Sequence, residues 1–219
     1  MKPSHIRALI GKDLLIEWRH MAALGGLILY LVSTVFVVYL SFQGMVSPQA
    51  WNSLFWVILL FANLNAVLKG FLQEHEKRGL YYYSLVSPRE LITARILYNG
   101  LLMSLLGVAA FVVFTAFLGN PVKSPLLFWV NLILGSVALS SVLTLVSAIA
   151  SGARNNFTLM GVLSFPLILP LLLMLIRVSQ SALAGAALTQ ELMNLLAIGL
   201  LMMVTFVLSY VLFPYIWTE

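Results

Sequence analysis

Long apolar stretches separated by short polar ones set the architecture of this chain. Residues 20–68 carry no formal charge, a run of 49 positions, whereas about 20 residues cross the hydrocarbon core of a bilayer as one helix. The run therefore predicts two spans, 22–42 and 51–68, broken at residues 43–49, where Gly44, Ser47 and Pro48 supply turn chemistry. A third span is expected at 96–118, closed by Gly119, Asn120 and Pro121, and a fourth at 126–150, ended by Gly152. A fifth at 157–176 and a sixth at 192–213 complete the series. Pro166 and Pro170 lie four apart in span five; each removes a backbone donor, so that helix is expected to bend and to serve as a working element of the mechanism.

Composition agrees with this pattern. The chain is 62% hydrophobic and only 9% charged over 219 residues, with a mean hydropathy of +1.03, whereas a soluble domain carries about 25% charged residues. A globule of this length has too little interior to hide so much apolar surface, so the solvent must be lipid. The fold class that follows is an all-α integral membrane protein of six transmembrane helices, forming a single domain over 1–219. The absence of cysteine removes disulfides, thiolate metal sites and thiol nucleophiles.

The positions of the cations give orientation. Lys2, Arg7, Lys12 and Arg19 precede span one; Lys69, Lys77, Arg78, Arg89 and Arg95 separate spans two and three; Arg154 separates four and five. Only Lys123 and Arg177 fall on the other side. Ten cations against two place both termini in the cytoplasm. The first 20 residues lack the apolar core and small-residue site of a cleavable signal, so span one is expected to be retained.

Two polar segments carry what chemistry remains. Residues 3–20 place Ile6, Leu9, Ile10, Leu14 and Trp18 at helical spacing among charged neighbours, an interfacial amphipathic helix that either anchors the chain or meets a partner. Residues 69–95 form the one sizeable loop. Its first part, Gln73 to Gly79, is polar with alternating charge. A short apolar helix follows at 80–85, containing Tyr81, Tyr82 and Tyr83, too short to span and too apolar to be a solvated linker. Then Ser87, Pro88 and Glu90 read as an N-cap, a first helical residue and the third position of a capping box leading into span three. This construction resembles a lever beneath the membrane; an ordinary connecting loop is the alternative.

Within the spans, Asn63, Asn65, Asn99, Asn131 and the series Ser136, Ser140, Ser141, Thr144 and Ser147 are neutral hydrogen bonders whose spacing suits close helix packing. No ionised side chain is expected at a span centre, which argues against ion-coupled transport. His5, His20 and His75 belong to no metal-spaced array, and Gly11 and Lys12 lack the glycine-rich loop of a nucleotide site. The chain is thus expected to be a non-catalytic subunit that binds no metal or cofactor by itself.

The stretch E-H-E-K-R-G-L-Y-Y-Y-S-L-V-S-P-R-E-L-I-T-A-R at residues 74–95 resembles the first cytoplasmic loop of permease subunits of type-2 ABC exporters, with Glu76, Arg78, Gly79, Pro88 and Arg95 at the matching positions. Residues 137–173 resemble spans four and five of the haem exporter protein B (CcmB) family: a small-residue helix, a Gly and Arg turn, then a core with prolines at Pro166 and Pro170. The short tail after Phe213 and the Tyr81–Tyr83 run are not features of that family pattern. The resemblance implies a type-2 ABC exporter permease fold in the bacterial inner membrane, present as a homodimer, and a coupling loop seated on a cytoplasmic ATPase. Glu76, Arg78, Gly79, Tyr82, Leu85, Pro88, Glu90 and Arg95 would form that seat. It further implies a CcmA-like ATPase that holds the ATP, CcmC-like and CcmD-like membrane partners, and a periplasmic CcmE-like haem chaperone released by ATP-driven work. Haem would be cargo of the complex, and no nucleic acid is involved. A generic export permease for a drug or glycan, and a non-transporting scaffold, remain the rival readings.

Overall fold

In the computed structural model, residues 21–75, 87–151 and 156–217, with Leu9 and Gly11, are described; side chains are described at 9, 11, 25–67, 87–150 and 164–215. Six long helices alternate in direction: α1 (Met21–Ser41), α2 (Pro48–His75), α3 (Pro88–Leu118), α4 (Pro125–Ser151), α5 (Asn156–Ala184) and α6 (Leu192–Trp217), with a 3₁₀ turn at Leu188–Glu191 before α6. Among the described residues all regular structure is helical. Five helices are long and apolar enough to cross a membrane, and α1 adds a shorter apolar run, Gly25–Ser41. The chain is therefore an all-α, multi-pass membrane protein.

One end of the bundle, the turn end, carries residues 42–47, 119–124 and 185–191; at the opposite, loop end α2 and α4 finish and α3 and α5 begin. Helix ends at the turn end follow backbone chemistry. Gly119 closes α3 with φ +78°, and Gly185 follows α5 with φ +95°, conformations that a side chain would strain.

Helix α4 is the axis. It packs against α2, α3, α5 and α6, and 78% of its apolar window is buried, against 22–50% for the other four spanning helices. Its composition explains the position. Lipid tails are as apolar as leucine, so helices in a membrane are held by close packing and hydrogen bonds rather than by a drive to escape water. Small side chains permit that closeness: Ser136, Ser140, Ser141, Thr144 and Ser147 are all buried. A Cβ added to Gly135 would lie 2.8 Å from Trp56 Cη2 of α2 and nearer still to Leu175 of α5. Gly107 of α3 is also close against α4, where an added Cβ would meet Ser136 Oγ at 3.0 Å.

The main core runs along the bundle, from Trp51 and Leu127 at the turn end to Val67 and Ala150 toward the loop end, and its aromatic group sits at the turn end. Trp51 and Phe55 of α2 stack at 5.4 Å, and Phe114 of α3 meets them edge-on at 5.4 and 5.3 Å. Phe111 extends the group to Phe128 and Trp129 of α4 at 5.1 and 5.0 Å. Hydrogen bonds cross the same helices. Trp56 Nε1 and Asn131 Nδ2 both donate to Ser179 Oγ at 2.7 Å, and Asn131 also donates to the Leu175 carbonyl at 3.0 Å. Asn52 Nδ2 donates to the Ile176 carbonyl at 2.8 Å. These bonds satisfy the α5 hydroxyl and the amide donors where water is absent.

Two expected boundaries move. Span five was expected to stop at residue 176 with Arg177 outside, but α5 continues to Ala184. A single cation does not end a helix whose next two turns are bonded to α2 and α4, and Arg177 sits on the exposed side, where a long side chain reaches the surface. The loop expected over 69–95 is also shorter than that range: residues 69–75 continue α2 and residues 88–95 are the first two turns of α3. The amphipathic segment 3–20 lies outside the described residues except for Leu9 and Gly11, of which Leu9 is buried.

Candidate coupling site

The loop end is built around the first turns of α3. Ser87, in extended conformation with φ −69° and ψ 142°, caps the helix, its Oγ accepting the Glu90 N–H at 3.4 Å, and Pro88 occupies the first helical position. Pro has no amide to lose there and its fixed φ suits the helix start. Thr93 Oγ1 donates to the Arg89 carbonyl at 2.7 Å.

This helix start does not hang free below the bundle. Leu91, Ile92 and Ile96 of α3 pack with Ala148 of α4 and Phe213 of α6 in a second, separate core, with Phe206 of α6 against it. One turn further along, Asn99 Nδ2 donates to Thr144 Oγ1 of α4 at 2.9 Å. On the outer side the Arg89 guanidinium lies over the Tyr210 ring of α6, 5.3 Å from its centroid. Three helix ends are thus joined by apolar side chains, the Asn99–Thr144 hydrogen bond and the Arg89–Tyr210 contact. Ile92 is fully buried against its neighbours, so the start of α3 is closely packed on α4 and α6.

Of the residues expected to form the seat for an ATPase, Pro88, Glu90 and Arg95 fall on this joint. Glu90 and Arg95 are both buried, at 8% and 9% exposure. Glu76, Arg78, Gly79, Tyr82 and Leu85, with the short apolar helix 80–85, lie outside the described residues. Pro166 and Pro170 are elsewhere, on the exposed face of α5, which runs as one helix through both. Helix α4 packs on both α3 and α5 and so connects the two regions.

Sequence reading passed over Tyr210, Phe213 and Ala148, which complete the joint. Their partners are more than 50 residues away in the chain, and no spacing rule links them. Asn99 and Thr144 were legible as hydrogen bonders, though not as each other's partner. Among the described residues no three His, Cys, Asp or Glu come together as a metal site would need.

A family model described as CcmB protein matches residues 4–213, nearly the whole chain. No curated protein matches it. The chain belongs to the CcmB family.

Proposed function

We propose, with that membership as premise, that this chain is the membrane permease subunit of an ABC-type haem-export complex serving cytochrome c maturation, and that it works by passing ATP-driven motion from a cytoplasmic partner into the bundle. The observation that carries the mechanism is the joint at the loop end. Residues 76–86 lead directly into a capped helix start whose side chains interlock with α4 and α6. A partner that pushes on the loop would move three helices together.

In this reading a CcmA-like ATPase holds the ATP and the present chain supplies no catalytic group. Glu76, Arg78, Gly79, Tyr82 and Leu85 contact the ATPase, while Pro88, Glu90 and Arg95 hold the loop to the bundle. The chain works as a homodimer in the bacterial inner membrane, with CcmC-like and CcmD-like neighbours and a periplasmic CcmE-like chaperone whose release uses the ATP. Haem is the cargo of that assembly. The paired prolines of α5 are the second working element: they leave two carbonyls without amide donors and make α5 the helix of least bending cost. Both termini and the loop end are cytoplasmic, supported by the cation count.

Copurification tests the central claim. Tyr82→Asp with Leu85→Asp should abolish recovery of the ATPase while the chain still inserts into the membrane; undiminished recovery would reject the docking assignment. Orientation is checked separately. A membrane-impermeant thiol reagent added from the periplasmic side should label Ser47→Cys and leave Ser84→Cys untouched, and the reverse pattern would invert the assignment of sides. Replacing Pro166 and Pro170 with Ala should keep the ATPase bound yet reduce cytochrome c maturation, and full maturation at normal protein level would reduce the prolines to a matter of shape.

A further inference from the structure

Between α3, α4 and α6 lies a groove of about 620 Å³, open to the side of the bundle. Gly100, Leu101 and Ser104 of α3 form one wall, Met203 and Phe206 of α6 the other, and Val137 of α4 the floor. The hydroxyls in it are already used. Ser104 Oγ donates to the Gly100 carbonyl at 2.8 Å and Ser141 Oγ to the Val137 carbonyl at 2.9 Å. Within the groove, therefore, only an apolar occupant fits without leaving polar groups unmet.

The loop end of the groove is different. One helical turn beyond Phe206 on α6 stands Tyr210, with the exposed Arg89 over its ring. Arg89 is in the first turn of α3, where the amide ends of a helix present partial positive charge. The neighbouring carboxylate, Glu90, is buried. A tyrosine at this depth suits the headgroup level of a bilayer. From Arg89 to Gly100 the helix rises about 16 Å at 1.5 Å per residue, close to the thickness of one leaflet, about half of a 30 Å hydrocarbon core. The cation thus stands at the surface, about 10 Å along α3 from Ile96 at the near end of the groove, which runs on toward the midplane.

We infer that this groove is a binding site for an anionic phospholipid, with one acyl chain between α3 and α6 and the phosphate at Arg89. Charge decides between headgroups, because basic residues at the surface ends of intramembrane clefts select anionic lipids. The bound chain touches Ile96 and Phe206, which belong to the loop-end core, so the lipid fills the side of the joint that the protein leaves open. The site depends on the chain being in a membrane and not on what the loop docks against.

The test uses the purified chain in detergent, titrated with palmitoyl-oleoyl phosphatidylglycerol or with phosphatidylcholine of the same acyl chains, and counts retained lipid by native mass spectrometry. The anionic lipid should be retained about fivefold better, the effect of one cation near a membrane surface. Arg89→Gln, an exposed change, should bring it down to the phosphatidylcholine level. Leu101→Trp with Met203→Trp, both at exposed positions, should fill the groove and lower retention of both lipids. Equal retention by the unaltered protein, a preference that survives Arg89→Gln, or retention unchanged by the two tryptophans would each overturn the site. So would crosslinking of Met203→Cys to another membrane protein in cells, which would make the groove a seat for a partner helix. ATPase copurification, measured on the two-tryptophan variant, should be unaffected, so failure here is distinct from failure of the proposed function.

Discussion

The two ends of the bundle are held by different means. At the turn end, aromatic rings from three helices interlock and amides of α2 and α4 are bonded to α5. At the loop end, a cluster of buried aliphatic side chains with Phe213, the Asn99–Thr144 hydrogen bond and the stacked Arg89 join α3, α4 and α6, beside Val146 and Ala150 of α4, which pack with the main core. Aromatic pairs add about 0.5–1.5 kcal/mol each beyond simple burial, and hydrogen bonds between membrane helices average about 0.6 kcal/mol. Ring pairs thus weigh more at the turn end and aliphatic packing at the loop end. For a protein proposed to receive motion at its loops, the aromatic group would serve as the platform and the aliphatic joint as the part that shifts.

The comparison fails most directly at Gly135. Gly135→Val places methyl groups where Trp56 and Leu175 already stand, at the upper end of overpacking, about 3 kcal/mol or more. We expect loss of the cooperative melt in detergent; a melt within a few degrees of the unaltered protein would mean that α4 can shift to accommodate it and that the platform is not stiff.

Phe213→Ala removes the largest member of the loop-end core, with an expected cost of about 3 kcal/mol, the low end for such a truncation. The damage should stay local. Amide exchange should accelerate over residues 88–96 and not over 50–56, whereas equal acceleration at both ends would merge the two cores into one cooperative unit.

Asn131→Leu and Asn99→Leu make the contrast sharper by deleting like groups at the two ends. Asn131 makes two bonds to α5 and Asn99 one to α4, so losses of about 1.2 and 0.6 kcal/mol are expected from the average per bond. Thermal unfolding of the pair in one detergent checks the order; a larger loss at Asn99 would place more cohesion at the loop end than its contacts show.

One substitution should produce a gain. Asn63 of α2 is fully buried, and neither end of its amide has a hydrogen-bond partner. Replacing an unmet polar group by an apolar one of similar size removes a penalty of about 1 kcal/mol. Asn63→Leu should raise the melting temperature, and a fall would show that the amide has a partner in solution.

The long helices and the membrane environment were legible in the sequence, because they follow from long charge-free runs, and such runs act locally: a helix that cannot meet water must satisfy its own backbone wherever it lies. The capped start of α3 at Ser87 and Pro88 was legible for the same reason, since a cap involves only residues three apart. The true end of α5 was not. Whether Arg177 ends a span or is carried out along an exposed face depends on what Asn52 and Asn131 bond beside it, and those lie on other helices. The same holds for the central place of α4. Its small residues announced close packing, but only the assembled bundle shows that Gly135 faces Trp56 and Leu175, that Asn99 finds Thr144, and that Phe213 completes a core begun by Leu91. Periodicity fixes which face of a helix is small or apolar; which neighbour that face meets is decided by packing among chains of residues far apart in sequence, and no local pattern encodes it.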